Sequence, residues 1–290
     1  MTSRFNYQSA VSRNIGWVTE AEQALLATKK IAIAGLGGVG GEHLITLTRL
    51  GLTQFHISDF DEFDVHNFNR QIGATMDSID QPKLDTLEQM TLSINPEAQI
   101  KTFPTGVNQD NVDAFLDGVD VYVDSLDFFA MEARELVFRK CTDKGIPVIT
   151  TGPIGFGVAM LCFMPGSMDF DEYFGFSKCH SKQEKLLKFM VGLTPSLLQR
   201  DYLVDPSRAD FAAEKGPSVI MGVKLCAGVN ATNVLKILLN RGDIICAPHG
   251  LHFDAYKNKL VKTWCPFGNG GLLQRIKYQI AKRVVLSNQT

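Results

Sequence analysis

Apolar positions in the first half of the chain take two alternating forms: short unbroken runs, and longer stretches with helical spacing. Residues 31–34 are a continuous apolar run ending in glycines, the pattern of a strand buried on both faces. Leu44, Leu47 and Leu50 follow at helical spacing over 42–50, and Gly51 stops that helix. Residues 54–58 return as a strand that closes on Asp59, so 31–59 reads as a βαβ unit. Upstream, 19–28 reads as a helix with Thr19 as N-cap and Glu22 completing a capping box. The alternation continues with a helix at 82–94 introduced by Pro82, a strand at 99–103, a helix at 108–117, a strand at 119–124, a helix near 128–143 and a strand at 146–150. Strands separated by helices of this length predict an α/β fold, a Rossmann-like, doubly wound, mostly parallel sheet.

After Gly152 the pattern changes. Residues 154–164 read as a long strand, 165–217 as an irregular crossover segment with helices at 182–191 and about 195–203, and 218–240 as a long apolar helix ended by Gly242. Residues 251–264 read as a hairpin turning at Lys257–Asn258, which extends the sheet with antiparallel strands. The expected layout is an N-terminal arm and helix (1–29), a Rossmann-like half (30–152), a second half (153–265) and a basic amphipathic tail (266–290). In that tail Leu273, Ile276, Ile280 and Val284 have helical spacing, with Arg275, Lys277, Lys282 and Arg283 between them. The plain expectation is a helix docked on the domain or across a dimer; a basic helix for a partner or a membrane surface is the alternative.

With 290 residues, 45% of them apolar and 21% charged, the chain has the composition of a soluble globular protein with a sizeable core. A net charge of −2 gives no general electrostatic reason to expect a nucleic-acid partner. The six cysteines form no C-x-x-C pair, which suggests free thiols in a reducing compartment. Residues 1–14 lack an apolar signal core, and the apolar stretches 153–165 and 218–239 are too short or too interrupted to span a bilayer. The expectation is a cytoplasmic protein with no transmembrane segment.

The chemistry starts at Gly35-Leu-Gly37-Gly38-Val-Gly40, between a strand and a helix. Gly35 permits a tight turn, Gly37 and Gly38 let the backbone approach a phosphate, and the helix N-terminus behind them favours negative charge. Asp59, at the end of the second strand, is placed for a ribose hydroxyl. These residues alone fit NAD, FAD or ATP. The next segment carries Asn67, Arg70 and Gln71, followed by Gln81-Pro82-Lys83. A dinucleotide needs little after its ribose carboxylate, whereas cations here suit a triphosphate.

In that order, GLGGVG, DFD, N-F-N-R-Q, Q-P-K and D-S-L-D resemble the nucleotide-binding core of the ThiF/MoeB/HesA family, relatives of the ubiquitin-activating enzymes. The resemblance implies an ATP-dependent adenylyltransferase that activates a carboxylate with release of pyrophosphate. The carboxylate would be the C-terminal glycine of a ubiquitin-like or sulfur-carrier protein, or a peptide or small-molecule acid. It implies that Gly37, Gly38 and Asp59 hold the adenosine end of ATP, with Asp61 beside them. Asn67, Arg70 and Lys83 would grip the phosphates, and Asp127 would bind Mg²⁺. Arg13, in Ser12-Arg13-Asn14, would reach the neighbouring subunit's phosphates in a homodimer. An NAD-dependent oxidoreductase is a competing reading that leaves Asn67, Arg70, Lys83 and Asp127 unused; a non-catalytic scaffold is another.

The sequence departs from the family pattern at three places. Phe128 and Phe129 follow Asp127 where the family often has Asn, which predicts a more apolar rim. The paired C-x-x-C motifs of many members are missing, so no structural zinc is expected. The stretch before the long apolar helix, 213–217, has no cysteine. Cys179, next to Lys178 and His180, is the one thiol in the crossover segment, where adjacent cations would lower its pKa.

Overall fold

The computed structural model describes residues 5–209 and 213–287. The first four residues and the side chain of Val284 lie outside what it describes. The chain elements used below are helix α1 (Glu20–Ala27), β1 (Lys30–Ala34), α2 (Gly38–Leu50), β2 (Gln54–Ser58), α3 (Lys83–Ile94), β3 (Gln99–Phe103), β4 (Val121–Asp124) and α4 (Met131–Lys144). They continue with β5 (Val148–Ile154), β6 (Gly157–Phe163), α5 (Lys182–Leu193), α6 (Ile220–Leu238), β7 (His249–Asp254), β8 (Lys259–Trp264) and α7 (Leu272–Ser287).

All eight strands form one sheet in the order β3-β2-β1-β4-β5-β6-β7-β8. The first five are parallel; β6, β7 and β8 add on antiparallel. The fold is thus α/β with a mostly parallel sheet extended by antiparallel strands. Side chains of β1 and β4 alternate between two cores, which is why these strands read as continuous apolar runs. Ala32, Ala34 and Tyr122 face an aromatic core with Phe138, Phe163 and Phe174, while Ile31, Ile33, Val121 and Val123 face Leu44, Leu47, Leu87 and Val234.

Several elements differ from the sequence expectation. Helix α2 begins at Gly38, four residues earlier than the apolar spacing indicates, because the glycine turn itself supplies the first helical turn. The 108–117 helix shrinks to Val112–Phe115. The helix expected at about 195–203 is a 3₁₀ turn, Leu198–Tyr202, preceded by Leu197 at φ 48°. Strand β5 runs on to Ile154, since residues 151–154 find antiparallel partners in β6 that no local pattern announces. The capping box of α1 (Thr19 with Glu22) and the αL stop of α2 at Gly51 stand as read.

Helix α7 docks on α5 with its polar side. Gln274, 4% exposed, donates to the Val191 carbonyl at 3.1 Å, and Lys277 donates to the Pro195 carbonyl at 2.8 Å. The expected apolar docking face points outward instead. Among the described residues no helix is long and apolar enough to cross a membrane.

Candidate active site

The sheet reverses its winding between β1 and β4, where β1 leads to β2 on one side and β4 lies on the other. That switch point opens a crevice at the carboxyl ends of the strands. The glycine turn leaves β1 there, and the Asp124–Asp127 loop leaves β4 beside it. Gly35 has φ +85°, and a Cβ on it would sit 2.3 Å from the Ser125 carbonyl oxygen. A Cβ on Gly40 would sit 1.8 Å from the Gly35 carbonyl oxygen. Gly40 therefore closes the turn from inside.

Gly37 and Gly38 are different. A Cβ on Gly37 would meet only the Gln71 side-chain amide at 3.8 Å, and one on Gly38 would come no closer than 3.5 Å, to Val223. The backbone there is bare by choice of residue, not by lack of room. Helix α2 has no side-chain cap at Gly37, so its first amides are unspent and can serve an anion. Two buried polar atoms beside the turn also lack protein partners, Gln71 Oε1 and Ser125 Oγ. A polar ligand in this crevice would satisfy them.

Asp59 accepts from the Leu36 amide at 2.6 Å and from the Asp61 amide at 2.8 Å. Burial raises its pKa, opposed by those amides and by Lys83. It therefore ties the glycine turn to the following loop, with spare lone pairs for a hydroxyl. Lys83, 7% exposed at its side chain, pairs with Asp61 at 2.9 Å, and its backbone amide donates to the Asp61 carbonyl at 2.9 Å. Asn67 is buried and its Oδ1 accepts from the Asp64 amide at 3.0 Å. Lys83 and Asn67 line a cavity of about 340 Å³ with Asp61, Asp64 and Asp80. Those carboxylates repel phosphate, so that cavity does not suit a polyphosphate.

Arg70 packs its stem near Gly38, within 3.7 Å of where a Cβ would be, and donates to the His66 carbonyl and to Asn69 Oδ1. Burial lowers its pKa, and the charge of Asp127 pushes the other way. Asp127 is exposed and accepts from the Phe129 amide at 2.9 Å. The crevice thus has Asp59 and Lys83 on one flank, Arg70 above Gly38, and Asp127 opposite. Among the described residues no group of three or more His, Cys, Asp or Glu side chains could hold a metal ion.

One residue of this region gives no signal in the sequence. Arg134, on α4, is buried against Asp124 at 2.9 Å, and Asp124 also accepts from Thr150 at 2.8 Å. The remaining guanidinium nitrogens reach the carbonyls of Leu126 (2.6 Å), Asp127 (3.1 Å) and Phe128 (3.4 Å). Its planar face lies 4.5 Å from the Phe189 ring centroid on α5. Phe128 packs on the same ring at 5.5 Å, and Phe129 is buried. These phenylalanines anchor the loop to the aromatic core instead of making the expected apolar rim.

The Arg13 expectation, a role in a neighbouring subunit's site, is left as it was, and the Cys179 expectation changes. Arg13 is exposed in a 3₁₀ turn (Ser12–Asn14) whose Asn14 donates to the Leu50 carbonyl at 3.0 Å, at the far end of α2. The glycine turn lies one helix length away, roughly 20 Å, so Arg13 does not serve the site of its own chain. Cys179 is half-buried; burial raises its pKa and outweighs the lowering by Lys188, opposite to the expected activation.

Residues 11–268 match the ThiF family. This chain belongs to the ThiF family. Among curated relatives it is 28% identical over 127 residues to the tRNA threonylcarbamoyladenosine dehydratase of Bacillus subtilis (strain 168), covering 43% of this chain and 49% of that one. It is 27% identical over 143 residues to the sulfur carrier protein ThiS adenylyltransferase of Escherichia coli (strain K12), covering 49% and 56%. The chain thus spans about half the length of these relatives. The crystal structure of E. coli MccB with ATP superposes with a TM-score of 0.63 at 17% identity, covering 88% of this chain and 69% of that one, which establishes the shared fold. In this ThiF-family chain the match begins just ahead of Arg13 and ends before α7.

Proposed function

We propose that this ThiF-family protein transfers adenylate from ATP to a carboxylate, releasing pyrophosphate. The observation that carries the proposal is the bare backbone at Gly37 and Gly38 beside the Arg70 stem, with the Asp127 charge near enough to act on that guanidinium. A relative named as an adenylyltransferase and a fold neighbour crystallised with ATP support it. In this reading Asp59 orients the ribose and the α2 amides cradle phosphate oxygens. Lys83 exchanges Asp61 for the polyphosphate, and Arg70 neutralises charge growing on the bridging oxygen as the carboxylate oxygen attacks the α-phosphorus. Mg²⁺ on Asp127, when bound, supplies further positive charge to the phosphates. The protein does no covalent work; positioning and electrostatics lower the barrier. Arg13 would complete the site from a second copy of the chain.

The acyl substrate is a ubiquitin-like or carrier protein ending in glycine, or a peptide or small acid. Because one relative is named for tRNA threonylcarbamoyladenosine, a tRNA-borne acid joins the candidates despite the expectation of no nucleic-acid partner. ATP–pyrophosphate exchange decides the matter. Exchange that depends on one of these acids and on Mg²⁺ supports adenylation. No exchange with any class, together with tight ATP binding, would leave a nucleotide-binding scaffold.

A further inference from the structure

Helix α7 is turned inside out relative to an ordinary docked helix. Its inward contacts come from buried Gln274 and half-buried Lys277 and Tyr278, while Leu272, Leu273, Ile276 and Ile280 are 73%, 71%, 48% and 50% exposed. At 100° per residue these four aliphatics form one stripe about 100° wide along the helix. Such a stripe normally buries itself, and here the fold holds it outward with polar bonds.

Charge adds a second, independent observation. The last 36 residues contain no Asp or Glu, although the whole chain has 31 acids against 29 Lys and Arg. Arg275 and Lys282 lie beyond one edge of the stripe, between it and α5, and Arg283 lies within it. Glu184 of α5 interacts with Lys282, and acids of a short neighbouring helix (Asp169, Asp171 and Glu172) share a surface depression with Arg275. Arg275 and Arg283 form no ion pair among the described residues.

We propose that α7 is a membrane-surface helix that lies in the interface of an anionic bilayer, its aliphatic stripe among acyl chains and its cations at the headgroups. An exposed apolar stripe bordered by Lys and Arg, on a helix too polar to span, is the physical signature of this mode. A nucleic acid would use the cations but find no role for four aliphatic side chains, since single strands are held by stacking on aromatic groups. A symmetric pairing of two α7 helices would set cations against cations with no acid to meet them. The inference does not depend on the adenylation reading.

The test is co-sedimentation of the full chain with phosphatidylcholine vesicles, with and without one third phosphatidylglycerol, alongside tRNA binding and sedimentation equilibrium. Binding should be on the order of tenfold stronger to the anionic vesicles and weaken with salt. Leu273→Ser with Ile276→Ser, or Arg275→Gln with Arg283→Gln, should each remove most of it. All four side chains are exposed, so the melting temperature should not move. Absent or charge-independent vesicle binding, or binding unchanged in both double variants, overturns the proposal. So does finding that the serine variant abolishes tRNA binding or self-association while vesicles are ignored.

Discussion

Lys83→Ala should lower the rate of ATP–pyrophosphate exchange by about a hundredfold to a thousandfold, the scale seen when one donor to a developing anion is removed. Arg70→Ala should fall in the same range. Neither change should unfold the protein. Asp61, the partner Lys83 leaves behind, is 54% exposed at its side chain and can be solvated, and among the described residues the Arg70 side chain donates to neighbours in its own loop. Asp61→Asn separates the roles. If Lys83 serves the phosphates, freeing it from Asp61 preserves or improves exchange; if Lys83 only braces the loop, Asp61→Asn fails as Lys83→Ala does. The measurement is exchange kinetics with the activating acid in excess, and wild-type kinetics in Lys83→Ala would sink the assignment.

Arg134→Met should be the most destabilising single change in the site region. It leaves Asp124, 2% exposed, as an unpaired buried carboxylate, which costs about 3–5 kcal/mol. At roughly 2–4 °C per kcal/mol for a chain of this size, the melting temperature should drop by on the order of 6 °C or more. Adding Asp124→Asn removes the stranded charge; its Oδ1 can still accept from the Leu126 amide and its Nδ2 can donate to the Thr150 hydroxyl oxygen, so most of that stability should return. Exchange activity should not return, because the carbonyls of Leu126, Asp127 and Phe128 would still lack the guanidinium that sets the loop carrying Asp127. A double variant with both wild-type stability and wild-type exchange would show that Arg134 is only a core ion pair.

What the sequence disclosed and what it hid follow from the range of the interactions involved. The parallel half was readable because each strand carries its own apolar run and each helix its own caps, as in Thr19–Glu22 and Gly51. The glycine turn and the Asn67–Lys83 segment were readable because their residue types are unusual in ordinary loops. Arg134 was not, since an arginine in a helix normally reads as a solvated surface residue; only the tertiary approach of β4 buries it. Gly40 and Gly37 look alike in sequence, and the difference between filling a turn and baring a backbone depends on whether the Gly35 carbonyl stands where a Cβ would be. Burial, which the neighbours Lys178 and His180 do not reveal, reversed the expected pKa direction of Cys179. The tail shows the same limit: its apolar spacing predicted a helix correctly, but not that Gln274 would face the protein and the leucines the solvent.

The central claim is that a triphosphate lies over Gly37 and Gly38, between Arg70, Lys83 and Asp127. The most direct measurement is the melting temperature with saturating ATP and Mg²⁺ compared with saturating NADH. At a hundred times its Kd a ligand adds about 2.7 kcal/mol, so ATP with Mg²⁺ should raise the transition by roughly 5–10 °C, and NADH should leave it in place. A rise with NADH and none with ATP and Mg²⁺ would contradict the account and return the glycine turn to a dinucleotide.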